Sequence, residues 1–288
     1  MDDTEGDLDH QDRRDLAAHE CLETHRFHYM KSTLRPEAPA GTQAILRAIR
    51  LLKTFTSERP ELSLTELQKA AELTKPTAHR LLSALQSEGL VGRSSTDGHF
   101  HLGPALIALG RQASLNSDLR AMVRPTLERL SRDTGECSTL EVWVDDSMLI
   151  FDAVEGSFVV TSNLGIGTRW PLHATSTGKC LLTTLTDEQL GQVLGDESKR
   201  FTDRTITDRI QLREDLQLSA RQGYATAIEE LEADYVAVAA GFKDSFGNFE
   251  GAISIGGPAS RFDAKRVSVM GEVVRAAAAK LSARHNNS

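Results

Sequence analysis

Between Thr65 and Val91 the chain reads TELQKAAELTKPTAHRLLSALQSEGLV, and few local structures are compatible with it. Thr65, followed three positions later by Gln68, has the form of a capping box, so a first helix is expected from there to about Ala71. Thr74 offers a second N-cap, Pro76 falls in a first turn where a missing N–H costs nothing, and Gly89 provides a stop. A second helix is therefore expected over Lys75 to Glu88. Ala78, Leu81, Leu82 and Leu85 recur at helical spacing and form its buried face.

The other side of that helix is polar. Pro76, Arg80, Ser83 and Ser87 point away from the apolar stripe, with Thr77 and His79 on its flanks. Lys75, Thr77, His79 and Arg80 thus crowd the N-terminal half of an exposed face, the arrangement with which a recognition helix meets base edges and phosphates in a major groove. An ordinary amphipathic helix with a solvated face has the same spacing. The residues C-terminal to Gly89 favour the recognition helix. Leu90–Arg93 and His99–Leu102 flank a turn that ends in Asp97-Gly98, a strong hairpin signal. Two helices followed by a hairpin make a winged helix-turn-helix, with Lys75, Pro76, Thr77, His79, Arg80, Ser83 and Arg93 as DNA-contact candidates. His99 and His101 also lie on the hairpin, although a wing that only closes the small domain touches no DNA.

Charge bears on DNA binding as well. The chain carries a formal net charge of −8, unfavourable for a partner of nucleic acid. Residues 1–40 hold 5 Lys/Arg against 10 Asp/Glu, residues 41–104 hold 8 against 6, and the remainder is again acidic. Only the helix-turn-helix segment is positive, and weakly so. One copy then attracts a polyanion poorly, and DNA binding is expected to need two or more linked copies. No apolar run approaches the roughly 18 residues of a membrane span, and the acidic start is unlike a signal peptide, so a cytoplasmic protein with no membrane partner is expected. Cys21, Cys137 and Cys180 are too far apart for a disulfide framework or a metal spacing.

Residues 1–40 read as a disordered acidic extension, with a transient helix around Asp9 to Thr24. Cys21, His25 and His28 suggest a metal clasp but lack a fourth ligand, so no metal or cofactor is expected. Met30-Lys31 is a candidate alternative start. Thr42 to Phe55 reads as a helix that buries Ile45, Ala48, Ile49 and Leu52. Pro104 opens an apolar linker helix over Ala105 to Ala113. Further helices are expected over Leu119–Thr134, Leu172–Leu185, Asp187–Leu194 behind Thr186, Thr207–Gln222, and Asp263–Arg284. Strands are expected over Ser138–Val144, Met148–Val154, Phe158–Asn163, Val236–Phe242 and Gly251–Ile255, mostly in hairpins. That pattern is an α+β sheet domain.

Ser176-Thr177-Gly178-Lys179-Cys180 is not a phosphate-binding loop, because His173 stands where the first glycine belongs and Cys180 where a hydroxyl should hold magnesium. Small hydroxylated residues at a helix start favour a carboxylate instead. Cys180 with His173 invites a nucleophile–base reading, but no oxyanion or orienting group accompanies it, and a lone buried cysteine is more often a small hydrophobe. Cys137 with Cys180 as a thiol redox sensor is the other alternative.

Two blocks resemble one known family. The run from Gln43 to Gly110, with LTKPTAHRLLSALQSEGLV and HLGPALIALG, is similar to the DNA-binding domain and linker of IclR-family transcriptional regulators. Trp170–Lys179, Gly223-Tyr224, Glu229–Glu232 and Ala252–Pro258 resemble that family's effector-binding domain in order and spacing. The resemblance implies a winged helix-turn-helix domain over 41–103, a linker helix over 104–117 with a part in dimer contacts, and a GAF-like effector domain over 118–285. It implies an effector-responsive DNA-binding regulator of metabolic genes, commonly a repressor, with an operator and a small carboxylate as partners, acting as a homodimer or homotetramer and not as an enzyme. Carried across, the pocket is lined by Val159, Ser162, Trp170, Ser176, Thr177, Tyr235, Ala237, Ser254 and Gly256. The chain departs from the family in several places: Ala227 and Ala237 replace positions that can be polar, Gly256 replaces a serine, and Asp234 and Gly241 stand where Gly and Pro are frequent. Trp170 and Tyr235 suggest an effector with an apolar or aromatic body, unless they only complete the core.

Overall fold

A computed structural model describes residue 39 and residues 41–56, 59–115, 117–157, 165–195 and 198–285. The acidic extension with Cys21, His25 and His28, and the expected strand at 158–163, lie outside the described residues.

The first unit comprises α1 (Gln43–Leu52), β1 (Glu61–Leu62), α2 (Leu64–Ala70), α3 (Lys75–Ser87), β2 (Val91–Arg93) and β3 (Phe100–Leu102). Its strands pair antiparallel in the order β1-β3-β2. Helix α2 begins before the sequence expectation, because Ser63 and not Thr65 caps it. The Glu66 N–H donates to Ser63 Oγ (3.3 Å) and the Ser63 N–H donates to the Glu66 carboxylate (2.9 Å). Thr74 holds the extended backbone of an N-cap, yet its hydroxyl pairs with that of Thr77 (2.9 Å) instead of with a backbone N–H.

Between α2 and α3, Glu72 takes a left-handed conformation (φ 54°) and the Leu73 N–H closes onto the Gln68 carbonyl (2.8 Å). The turn of the helix pair is set by that residue. Ala78, Leu82 and Leu85 of α3 join Leu51, Leu62, Leu67, Val91 and Phe100 in a buried core, while Leu81 is only partly covered. The expected stripe of α1 is buried only in part, with Ala48 and Leu52 packed against this core. Leu51 is covered completely, whereas Ile45 and Ile49 are 61% and 44% exposed. Periodicity reports that a helix has an apolar side but not which part of it the neighbouring helices cover. Helix α4 (Ala105–Leu115) follows, with Ile107 and Leu109 exposed.

The second unit is a six-stranded antiparallel sheet in the order β6-β5-β4-β9-β8-β7. Its strands are β4 (Cys137–Val144), β5 (Ser147–Val154), β6 (Arg169–Pro171), β7 (Ala225–Ile228), β8 (Tyr235–Lys243) and β9 (Phe249–Pro258). Helices α5 (Asp118–Thr134) and α9 (Ala264–His285) cover one face over Leu140, Val236, Val238, Phe242, Ile253 and Ile255. Helices α6 (Ser176–Leu182), α7 (Asp187–Leu194) and α8 (Arg209–Gln222) belong to the other, where Met148, Ala225, Ala239 and Ala252 meet Cys180, Leu181, Leu212 and Leu216.

The expected helix over Leu172–Leu185 is shorter in the structure. Arg169–Pro171 is an edge strand, and helix begins only after Thr175, whose hydroxyl accepts from the Gly178 N–H. Gly178 is required there, since a Cβ would stand 2.2 Å from the Leu172 carbonyl oxygen. Gly135 and Gly223 end α5 and α8 in the left-handed conformation expected of a C-terminal stop.

Candidate functional site

Two places in the molecule carry chemistry. The first is the outer side of α3. Lys75, Pro76, His79, Arg80 and Ser83 are exposed or partly exposed and Thr77 is half-buried beside them, all opposite the face that packs on α1 and α2. The structure thus brings six of the seven DNA-contact candidates onto one helix side. Arg93 stands apart on the hairpin: its Nε donates to the Gly98 carbonyl (3.1 Å) and its guanidinium lies over the Phe100 ring (5.2 Å). That arginine stiffens the wing. His101 covers Gly92, where a Cβ would meet the imidazole at 2.2 Å, and His99 pairs with Asp97 at 3.0 Å.

The second place is the face of the large sheet that looks toward α6. Strand register lays two rows of small residues across it, Thr139–Ser254–Ala239–Ala225 and Cys137–Gly256–Ala237–Ala227. Ala237, in the second row, stays half-buried although it belongs to an inner strand, whereas the other seven residues of the two rows are buried. Tyr235 overhangs that row. A Cβ on Gly256 would stand 2.4 Å from its hydroxyl, so the glycine makes room for the phenol.

Beside these rows Glu141 is 5% exposed, with a hydroxyl on each carboxyl oxygen: Thr177 at 2.6 Å and Thr139 at 2.9 Å. Thr139 also touches Ser254 Oγ at 2.7 Å. Burial raises the Glu141 carboxyl above the ordinary carboxylate range, against the opposing effect of the two hydroxyl bonds.

Helix α6 is fixed by a buried cation. Lys179, with no exposed surface, donates to Glu230 (2.7 Å) and to the Thr226 carbonyl (3.1 Å) and lies 2.8 Å from Asp215. The ammonium is thereby turned away from the rows of small residues and toward α8 and the loop after β7. Burial pushes the Glu230 carboxyl up, with the neighbouring ammonium pulling the other way.

Of the pocket candidates, Ser176, Thr177, Tyr235, Ala237, Ser254 and Gly256 surround this region, and Val159 and Ser162 lie outside the described residues. Trp170 is elsewhere. It sits on edge strand β6, paired with Met148, four strands away from Tyr235 in the sheet order. Sequence reasoning misses Thr139 and Glu141, and places Lys179 only in a failed phosphate loop; the alternation in Leu140-Glu141-Val142 presents the acid as a solvent-facing residue.

The thiol readings find little support in this geometry. The Cys180 thiol donates to the Ala239 carbonyl (3.3 Å), and burial pushes it up to about 12, so it is a poor nucleophile. His173 Nε2 is committed to the Lys199 carbonyl (2.8 Å), and burial lowers that imidazole's affinity for a proton. Among the described residues no helix is long and apolar enough to cross a membrane.

Comparison with known proteins matches both of the units in which these places lie. The family profile "Bacterial transcriptional regulator IclR C-terminal" matches residues 112–283, and the "IclR helix-turn-helix domain" matches residues 44–95. The acetate operon repressor of Salmonella typhimurium is 30% identical over 243 residues, 83% of this chain and 89% of that protein. The HTH-type transcriptional repressor AllR of Salmonella typhi is 32% identical over 248 residues, 86% of this chain and 91% of its own. Among solved structures, an IclR homolog from Microbacterium hydrocarbonoxydans complexed with 4-hydroxybenzoate superposes with a TM-score of 0.68 at 27% identity, over 85% of this chain and 100% of that one.

Proposed function

Because this chain belongs to the IclR family of bacterial transcriptional regulators, we propose that it is a cytoplasmic repressor whose helix α3 reads an operator and whose sheet pocket binds a small carboxylate that changes DNA affinity. The observation that carries the reading is the joint presence of an exposed polar side on α3 and an incompletely closed pocket of small and hydroxylated residues in one chain. Lys75, Pro76, Thr77, His79, Arg80 and Ser83 supply the DNA contacts, with Arg93 bracing the wing. Ser176, Thr177, Ser254, Gly256, Ala237 and Tyr235 line the effector pocket, with Trp170 on the far edge of the same sheet and with Val159 and Ser162 carried over from the family resemblance alone. The working units are residues 41–103, 104–117 and 118–285. Tyr235 over Gly256 favours an effector with an apolar or aromatic body, and the complex of the Microbacterium homolog with 4-hydroxybenzoate is in keeping with one.

Self-association belongs to the same reading. The helix-turn-helix segment carries a surplus of only two positive charges, and Ile45, Leu46, Ile49, Ile107 and Leu109 are exposed on α1 and α4. Two or four linked copies strengthen DNA binding, with recognition helices meeting half-sites about 34 Å apart.

Mobility shift of the gene's own upstream intergenic DNA, with a salt series and excess nonspecific competitor, tests the proposal. A competitor-resistant shift is expected, and Arg80→Ala should weaken it by about 1–3 kcal/mol while leaving carboxylate binding unchanged. No shift beyond competitor refutes the regulator reading; a shift untouched by Arg80→Ala refutes that residue's role.

A further inference from the structure

The large sheet and its flanking loops bury four acidic side chains, and three have cations. Glu136 is held by Arg261 and Arg266, Asp152 by Arg120 and Arg124, and Glu230 by Lys179. Among the described residues, Glu141 is the exception: its partners are two hydroxyls. The segment 158–164, FVVTSNL, contains no ionisable side chain to supply one.

Glu141 ends a chain of hydroxyls that reaches the candidate pocket, Glu141–Thr139–Ser254, with Thr177 on the other carboxyl oxygen. The direction of that chain depends on one proton. With Glu141 ionised, Thr139 and Thr177 donate to it, Ser254 donates to Thr139, and Ser254 offers the pocket a lone pair. With Glu141 neutral, its O–H donates to Thr139, Thr139 donates to Ser254, and the Ser254 hydrogen is free to point into the pocket. Thr177 donates to the other oxygen in both states.

A carboxylate buried without a cation is costly enough that the group keeps its proton instead. The same device makes a carboxylic acid a hydrogen-bond donor at neutral pH where an apolar site keeps it neutral. We propose, resting on the effector reading above, that Glu141 is a specificity-determining residue of the pocket: holding its proton, it turns Ser254 into a donor, so that a carboxylate is accepted there without a cation. The direction in which burial moves Glu141 agrees.

The ionisable groups on the surrounding elements do not replace it. On β4, Cys137 accepts from the Gly156 N–H (3.4 Å); on β5, Asp152 is paired with its arginines. On α6, Cys180 keeps its proton and Lys179 is engaged with Asp215 of α8 and with Glu230. Tyr235 of β8 is placed over Gly256. Glu141 is therefore the group whose proton sets the polarity of Ser254.

Two measurements on the full-length protein test this, with Glu141→Gln as the neutral mimic and Glu141→Leu as the variant without a relay; tryptophan emission verifies that each is folded. The first is an infrared difference spectrum, wild type minus Glu141→Gln, at neutral pH without ligand. The carbonyl stretch of a protonated carboxyl should appear. The second is calorimetric titration from pH 5 to pH 10 with glyoxylate, benzoate and 4-hydroxybenzoate. Wild type and Glu141→Gln should bind the preferred acid equally at low pH, Glu141→Leu at least tenfold more weakly. Above the pKa of Glu141 wild-type affinity should fall by about tenfold per pH unit, while that of Glu141→Gln stays level. A missing carboxyl band, or a Glu141→Leu affinity equal to wild type, overturns the relay and leaves the effector reading standing. A band present with none of the three acids binding overturns the carboxylate-effector reading and the role of Glu141 with it.

Discussion

Replacing Lys179 by Met should destabilise the effector domain by about 3–5 kcal/mol at pH 7, the cost of removing one partner from a buried ion pair. The methionine fills much the same volume as the lysine stem, so little of the loss is a cavity. What is lost is the ammonium that sits 2.7 Å from Glu230 and 2.8 Å from Asp215 with no exposed surface. Glu230 limits the damage by taking up a proton, at about 1.4 kcal/mol per unit of pKa change. Its folded-state pKa already lies above the ordinary carboxylate range, and loss of the lysine removes the main influence that holds it down. An acid whose folded pKa exceeds its unfolded one binds a proton on folding, so its contribution is most favourable below the unfolded value and declines as pH rises toward the folded one. Unfolded wild type and variant bind protons alike, so the deficit should grow only as pH rises from the raised folded-state pKa of Glu230 in wild type toward its still higher value in the variant.

Urea unfolding followed by tryptophan emission is a suitable assay. The two tryptophans, Trp143 and Trp170, both lie on the large sheet, so the signal reports that domain and not the helix-turn-helix unit. A deficit below about 1 kcal/mol at pH 7, or one unchanged across this range, would refute the assignment of Lys179 as an uncompensated structural charge partner.

Two other expectations are simpler to check. Cys180 should react with a thiol reagent about a thousandfold more slowly in the native protein than in urea at pH 8, in proportion to its suppressed thiolate fraction, because its thiol is pushed up to about 12; native labelling at the unfolded rate would contradict the burial described. Glu72→Gly should stabilise the helix-turn-helix unit by up to about 1 kcal/mol, since a left-handed backbone strains a residue with a Cβ, and Glu72 has φ of 54°. A loss of stability in thermal unfolding would show that its ion pair with Arg50, at 3.9 Å, outweighs the strain.

Elements whose signals are local are legible in the sequence. Thr186 with Gln189 begins α7, and Gly135 and Gly223 end α5 and α8, because caps need only neighbours in the chain. The same logic misplaces the start of α2, since Thr65 and Gln68 satisfy the capping pattern as well as Ser63 and Glu66 do, and only the backbone decides between them. Strand β1 is not legible: two residues, Glu61 and Leu62, are strand only because His101 and Phe100 come back to pair with them.

The site divides along the same line. The α3 candidates are close together in the chain and emerge as one group. The pocket is assembled from β4, α6, β8 and β9, and Glu141 escapes notice because alternation on a strand covered on both faces looks like alternation on a strand with one wet face. Trp170 is close to Ser176 in sequence but is carried to the edge of the sheet by β6.

The two ends of that sheet set a limit on how copies of this protein can meet. Among the described residues its edge strands are three and four residues long, β6 closing on Pro171, which has no N–H to offer. A short edge interrupted by proline is a poor template for strand addition, which protects a large antiparallel sheet from runaway growth. Any contact between copies is thereby directed to the apolar sides of helices, where it can close on a fixed number of subunits.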